Sequence, residues 1–135
     1  ADEVLKIAGH RIGTVEIEDA AVSHPAVAEA GVASIPDPIK GETIVIFTIL
    51  KEGYSPSPTL KGELRELIRK SVGPVATPEE IYFVSKLPKT RSGKIMRRIL
   101  KAVATSASIG DLTTLEDESS VEEVKKVYEE LKKEV

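Results

Sequence analysis

The sequence contains no cysteine and no tryptophan, and its 135 residues include only two histidines, one methionine and five aromatic side chains. The absence of cysteine excludes disulfide frameworks, zinc fingers and thiol chemistry. His10 and His24 lack companions for a metal site or a catalytic triad, so no metal ligand set is expected. Of the aromatics, only Tyr82 and Phe83 lie near the basic stretch, which leaves little to stack on a single-stranded nucleic acid. Long apolar runs are missing too: Ile44 to Leu50 is interrupted by Thr48 and is far shorter than the roughly 20 residues that cross a bilayer. No cleavable signal opens the chain, and the reading is a soluble, cytoplasmic protein without a membrane partner. With 41% apolar and 30% charged residues, the composition suits one compact domain that hides roughly two-thirds of its unfolded surface.

The net charge of −3 conceals a segregation of sign. Residues 1–80 carry 8 basic and 13 acidic side chains, residues 81–110 carry 7 basic and none acidic, and residues 111–135 carry 4 and 9. Lys86, Lys89, Arg91, Lys94, Arg97, Arg98 and Lys101 gather the cations, so a partner for this segment is expected to be an anion.

Short extended runs at Val4 to Ile7 and His10 to Gly13 predict a hairpin with Ala8-Gly9 at its tip. Thr14 is the expected cap of a helix containing Ile17, Ala20 and Ala21, with Glu16, Glu18 and Asp19 favourable to its dipole and Pro25 ending it. Val27 to Ile35 and Glu42 to Leu50 read as neighbouring strands joined by a Pro-Asp-Pro turn and Gly41. Leu60, Leu64, Leu67 and Ile68 repeat at helical spacing after Thr59, the expected cap, and Gly73-Pro74 stops that helix. Ile81 to Val84 is a short strand running into the basic segment. Ser120 and Glu123 form a capping box before a tail helix striped by Val121, Val124, Tyr128, Leu131 and Val135. The expected fold is a small α+β domain: a β-hairpin, a central, mostly antiparallel three-stranded sheet flanked by helices, and a C-terminal tail helix.

Pro88-Lys89-Thr90-Arg91-Ser92-Gly93-Lys94 combines a rigid entry, hydroxyls, a glycine and cations, as a mobile anion-contacting loop requires. It is not a P-loop, because Gly93-Lys94 is followed by Ile95 and lacks the upstream glycine. Lys94 offers a compact positive charge on a long stem, suited to an oxygen that gains charge in a reaction. From pattern alone, a solvated basic face leading into a helix with Ile95, Ile99 and Leu100 in the core is an equally good reading. Gly9-His10-Arg11 forms a second small constellation, with a glycine that permits close approach and an arginine that can clamp a phosphate. Arg65, Arg69 and Lys70 read as the exposed side of their helix, and Asp2-Glu3 as an acidic terminus.

Two stretches carry a resemblance. Asp2-Glu3-Val4-Leu5-Lys6, Gly9-His10-Arg11-Ile12-Gly13 and Glu16-Ile17-Glu18 resemble the hinge and hairpin motif of the adenylate-forming synthetases. Leu87 to Arg98 is similar to their catalytic-lysine motif in the version carried by the AMP-forming acetyl-CoA synthetases. The likeness spans nearly the whole chain and is loosest after Ala102.

The resemblance implies the small C-terminal domain of such an enzyme, with residues 1–102 as the swivelling domain and 103–135 as an extension. Its partner would be the N-terminal adenylation domain of the same polypeptide, and the small domain alone is not expected to catalyse. The enzyme would use ATP, acetate and CoA, with Mg²⁺ accompanying ATP, and release AMP and pyrophosphate. Lys94 then matches the lysine of acyl-adenylate formation, and Asp2 matches the hinge. Gly9, with Ala8, lines the pantetheine channel; Arg11 lies near the AMP phosphate and Arg69 near the 3′-phosphate of CoA. Lys94 is also an expected site of acetylation by a protein acetyltransferase and of removal by a sirtuin-type deacetylase. The alternatives are a propionyl- or other short-chain acyl-CoA synthetase, or, in a different class, a stand-alone basic module for RNA or an acidic partner.

Overall fold

The computed structural model describes residues 4–105 and 119–133. Strands β1 (Val4–Ile7) and β2 (His10–Gly13) form the expected hairpin, followed by α1 (Thr14–Val22), β3 (Val27–Asp37), β4 (Gly41–Leu50), α2 (Pro58–Ser71) and β5 (Glu80–Phe83). Helices α3 (Arg97–Thr105) and α4 (Ser119–Lys133) complete the described elements. Asp2, the Gly110 to Leu115 stretch and Val135 lie outside the described residues.

The three-stranded sheet has the order β3-β4-β5, with β3 and β4 antiparallel and β4 and β5 parallel. Because side chains alternate across a sheet, the central strand β4 serves two cores, and this explains its nearly unbroken apolar sequence. Ile44 and Ile46 face one side with Ala30, Val32 and Ile81, under Ile17 of α1 and Leu64 and Ile68 of α2. Val45 and Phe47 face the other side with Ala33 and Tyr82, under Leu100 and Val103 of α3 and Val124 of α4. The result is a sheet between two helical layers. Phe47 and Tyr82 stack with ring centroids 5.1 Å apart in the second core.

Several helix starts differ from the sequence expectation. Thr14 is buried and inside α1; Gly13 occupies the cap position without a side-chain hydrogen bond. Ser57, not Thr59, caps α2: its Oγ accepts from the Leu60 N–H at 3.0 Å. Pro58 preorganises the first helical position and so moves the start upstream. Helix α4 begins at Ser119, so Ser120 lies buried in its first turn, and Glu123 Oε1 accepts from the Ser85 N–H at 3.4 Å. Helix α3 begins at Arg97 rather than near Ile95, because Ile95 is bridged to Lys89. It runs through position 102, and Val103 and Ala104 are buried.

Gly31 of β3 lies close against Leu100 of α3. A Cβ built there would sit 2.7 Å from Leu100 Cδ1 and 3.3 Å from Ile95 Cγ2. Gly31→Val is expected to destabilise this chain by about 1–3 kcal/mol through overpacking, read as a lower midpoint in urea unfolding.

Candidate functional site

The basic segment is built as a second small hairpin. Pro88 to Met96 folds back on itself: the Thr90 N–H donates to the Lys94 carbonyl at 2.8 Å, and the Met96 N–H donates to the Pro88 carbonyl at 2.8 Å. At the tip the Gly93 N–H donates to the Thr90 carbonyl at 2.9 Å, with Gly93 at φ +91°. A turn closed by a residue in this region is a common three-residue hairpin loop, and glycine takes that conformation without strain. Thr90 Oγ1 also accepts from the Lys94 N–H at 3.2 Å and lies 2.9 Å from Ser92 Oγ. The expected mobile loop is thus a hydrogen-bonded scaffold that holds up Lys94.

The cations of this segment do not form a uniform basic face. Lys89 pairs with Glu29, Lys86 Nζ donates to Ser119 Oγ at 2.9 Å, and Lys101 Nζ lies 4.0 Å from Glu42. Arg91 and Lys94 are exposed at the hairpin tip and have no side-chain partner among the described residues.

Arg97 has the most enclosed partner. Glu18 of α1 is 6% exposed, and its Oε2 accepts from Arg97 Nε at 2.7 Å and from the Val32 N–H at 2.9 Å. Its Oε1 accepts from an Arg97 terminal nitrogen at 2.5 Å. Glu18 therefore does more than favour the dipole of α1: it holds the first residue of α3, three positions beyond Lys94. Sequence reasoning missed this pair. The available signal was a carboxylate one position from Ile17 on the apolar side of α1.

The β1–β2 turn presents the second constellation. Ala8 and Gly9 have φ of +50° and +83°, the two positive values that a tight two-residue hairpin turn needs. A Cβ at Gly9 would meet nothing within 4 Å, so the missing side chain leaves open surface. Arg11 and Lys6 are directly opposed across the hairpin and exposed. Like charges in such a pair repel, and an anion between them relieves this. The hairpin is tied to the β3–β4 turn by the Ala8 N–H, which donates to the Lys40 carbonyl at 2.9 Å. That turn is fixed by Asp37, whose Oδ1 accepts from the Lys40 and Ile39 N–H groups at 2.8 and 2.9 Å. These backbone donors hold the Asp37 carboxyl below its ordinary pKa.

The structure separates the two constellations. Lys89 reaches Glu29 near the start of β3, whereas Ala8 meets the turn beyond Asp37. Those landmarks are eight residues apart along β3, about 26 Å of strand. Arg69 is elsewhere again, on the exposed side of α2, donating to Glu66 at 3.0 and 2.7 Å. The hydrogen bond from Arg69 lowers the Glu66 pKa. A phosphate at Arg69 must compete with that carboxylate.

Residues 16–94 match the family described as AMP-binding enzyme C-terminal domain, and the chain belongs to it. It is 67% identical over its whole length to an acetyl-coenzyme A synthetase of Pyrobaculum arsenaticum, of which it spans 20%. It is 59% identical over 98% of its length to a 3-hydroxypropionyl-coenzyme A synthetase of Sulfurisphaera tokodaii, again spanning 20% of that protein. Among solved structures, an acyl-CoA synthetase of Brucella canis matches with a TM-score of 0.71 and 44% identity, over 75% of this chain and 19% of that one. The chain thus spans about a fifth of the length of these relatives. Neither the family nor the paired cations support the RNA-binding alternative. No described helix is long and apolar enough to cross a membrane.

Glu18→Gln is expected to remove the charge that Arg97 meets on α1 and to cost about 3–5 kcal/mol. Equilibrium unfolding of this chain measures it, and a loss under 1 kcal/mol would contradict a central role for the pair.

Proposed function

We infer that this chain is the C-terminal domain of an AMP-forming acetyl-CoA synthetase and that it serves two half-reactions from opposite ends. The observation that carries the reading is Lys94: exposed at the tip of a hydrogen-bonded hairpin and without a side-chain partner among the described residues, while Lys89 and Arg97 nearby are paired. In the first half-reaction an acetate oxygen attacks the α-phosphorus of ATP and the bond to pyrophosphate breaks. The Lys94 ammonium stabilises the charge shared by the carboxylate and the α-phosphate, a preorganised contact that water cannot match.

In the second half-reaction the CoA thiol loses its proton, its sulfur attacks the acyl carbonyl, and AMP leaves. Gly9 and Ala8 line the path of the pantetheine arm, Arg11 meets the AMP phosphate, and Arg69 meets the 3′-phosphate of CoA. The placement of Lys94 and Gly9 toward opposite ends of the β3–β4 hairpin favours a domain that turns between the two steps, with Asp2 as the swivel. The N-terminal domain of the same polypeptide supplies the nucleotide and acyl pockets, and Mg²⁺ arrives with ATP. The extension after residue 102 belongs to this unit, and the enzyme works in the cytoplasm.

In the whole enzyme, Lys94→Ala is expected to lower acetate-dependent ATP–pyrophosphate exchange by about 10²–10³ while sparing thioester formation from supplied acetyl-AMP. Gly9→Leu is expected to do the reverse. Equal damage to both halves by both substitutions would refute the rotation.

The same exposure makes Lys94 a substrate for acetylation by a protein acetyltransferase, reversed by a sirtuin-type deacetylase; the modification removes the charge the first step needs. Intact-mass analysis after incubation with such an acetyltransferase is expected to show one added acetyl group, absent from Lys94→Ala. An unmodified wild-type mass rules this regulation out.

A further inference from the structure

Helix α4 holds both legs of the Lys94 hairpin. On the entering leg, Glu123 Oε1 accepts from the Ser85 N–H at 3.4 Å, and Ser119 Oγ accepts from Lys86 Nζ at 2.9 Å. Val124, fully buried, packs in the same cluster as Val84 and Leu87. On the leaving leg, Val121 clusters with Met96 and Ile99, the residues that carry the chain from Lys94 into α3. Farther along α4, the Tyr128 hydroxyl donates to the Ala104 carbonyl at 2.9 Å, near the C-terminal end of α3 where backbone acceptors lack helical partners. The Tyr128 ring meets Tyr82 at 5.4 Å between centroids, which ties the same helix to β5.

The family match ends at Lys94, so both α3 and α4 lie beyond it. The hairpin itself has one bridge, Lys89 to Ile95, and so small a two-stranded unit is marginal without support. Glu29 holds the entering leg at Lys89 and Glu18 holds the leaving leg at Arg97. Helix α4 touches both legs and, through Tyr128 on Tyr82, the strand that feeds them. A shift of α4 along β5 would carry Ser85 and Met96 with it and displace the ammonium between them.

We propose that α4 is a positioning element for Lys94, with Glu123 and Tyr128 as positioning residues for acyl-adenylate formation. The proposal rests on the reading of Lys94 as the lysine of that step. Neither residue touches the reacting atoms. They fix the height and angle at which the hairpin presents its lysine, and a misplacement of about 1 Å in such a group costs about 10²-fold in rate. Glu123 and Tyr128 act on the first half-reaction alone, because the Gly9 turn hangs from the opposite end of β3.

The test uses the whole enzyme carrying Glu123→Ala with Tyr128→Phe, and Tyr128→Phe alone, which keeps the ring on Tyr82 and removes only the hydroxyl. Acetate-dependent ATP–pyrophosphate exchange and thioester formation from supplied acetyl-AMP and CoA are measured separately. In the double variant the kcat of exchange is expected to fall about ten- to hundredfold, with KM for ATP and acetate unchanged and thioester formation intact. The single variant is expected to show a smaller loss confined to exchange. Exchange unchanged in the double variant, or a loss shared equally by both half-reactions, overturns the proposal, since a helix that merely stabilises the fold would damage both. Lys94→Ala in the same assays separates the two ideas: if it retains exchange, the reading of Lys94 falls. Exchange lost in Lys94→Ala but kept in the double variant overturns the role of α4 alone.

Discussion

The buried pair of Glu18 and Arg97 joins parts of the chain that nothing in the sequence brings together. The partners are 79 residues apart and belong to opposite helical layers. They meet at the outer side of β3, where the Val32 N–H also donates to Glu18. Removing two charges from water is costly, and it is tolerated where hydrogen bonds occupy the carboxylate with good geometry. Here three such bonds do so. With this pair made, α1, β3 and α3 form one body, and the chain that precedes α3 has a fixed point from which to turn.

From that point outward the cations divide by role. Arg97 and Lys89 are consumed in holding the hairpin, whereas Arg91 and Lys94 stand at its tip. A segment that reads as uniformly basic is therefore a scaffold of neutralised charges with a few cations left exposed at its tip. This division fits the role proposed for Lys94: a lysine locked to a neighbouring carboxylate could not move to a phosphate without breaking that contact. The first hairpin differs in kind, with the opposed Lys6 and Arg11 and the glycine beside them kept open toward solvent.

Much of this was legible in the sequence. Pro25, Gly41 and Gly73-Pro74 punctuate the chain, the β-branched run of β4 reads as a strand beside β3, and the two motifs mark both ends of the proposed chemistry. Local signals failed where tertiary contacts overruled them. Ser120 and Glu123 have the spacing of a capping box, yet Ser120 is drawn into the core and Glu123 reaches the Ser85 backbone. Thr14 has a cap's chemistry but is fully buried as the first residue inside α1. The Glu18–Arg97 pair was out of reach because no local spacing encodes a contact across 79 positions. The order of the Lys94 segment was missed because its glycine and hydroxyls, read as freedom, close a turn.

Glu18 also lies where another molecule's strand would otherwise add. Strand β3 is at the border of its sheet, and outward-facing backbone donors on such a strand invite pairing with other chains. A carboxylate bound to the Val32 N–H, with a guanidinium behind it, blocks that addition midway along the strand. In the rotation proposed above, such a unit exposes its borders in every cycle. Protection that came from the companion would vanish at each turn, whereas protection carried by the unit itself persists through the whole stroke.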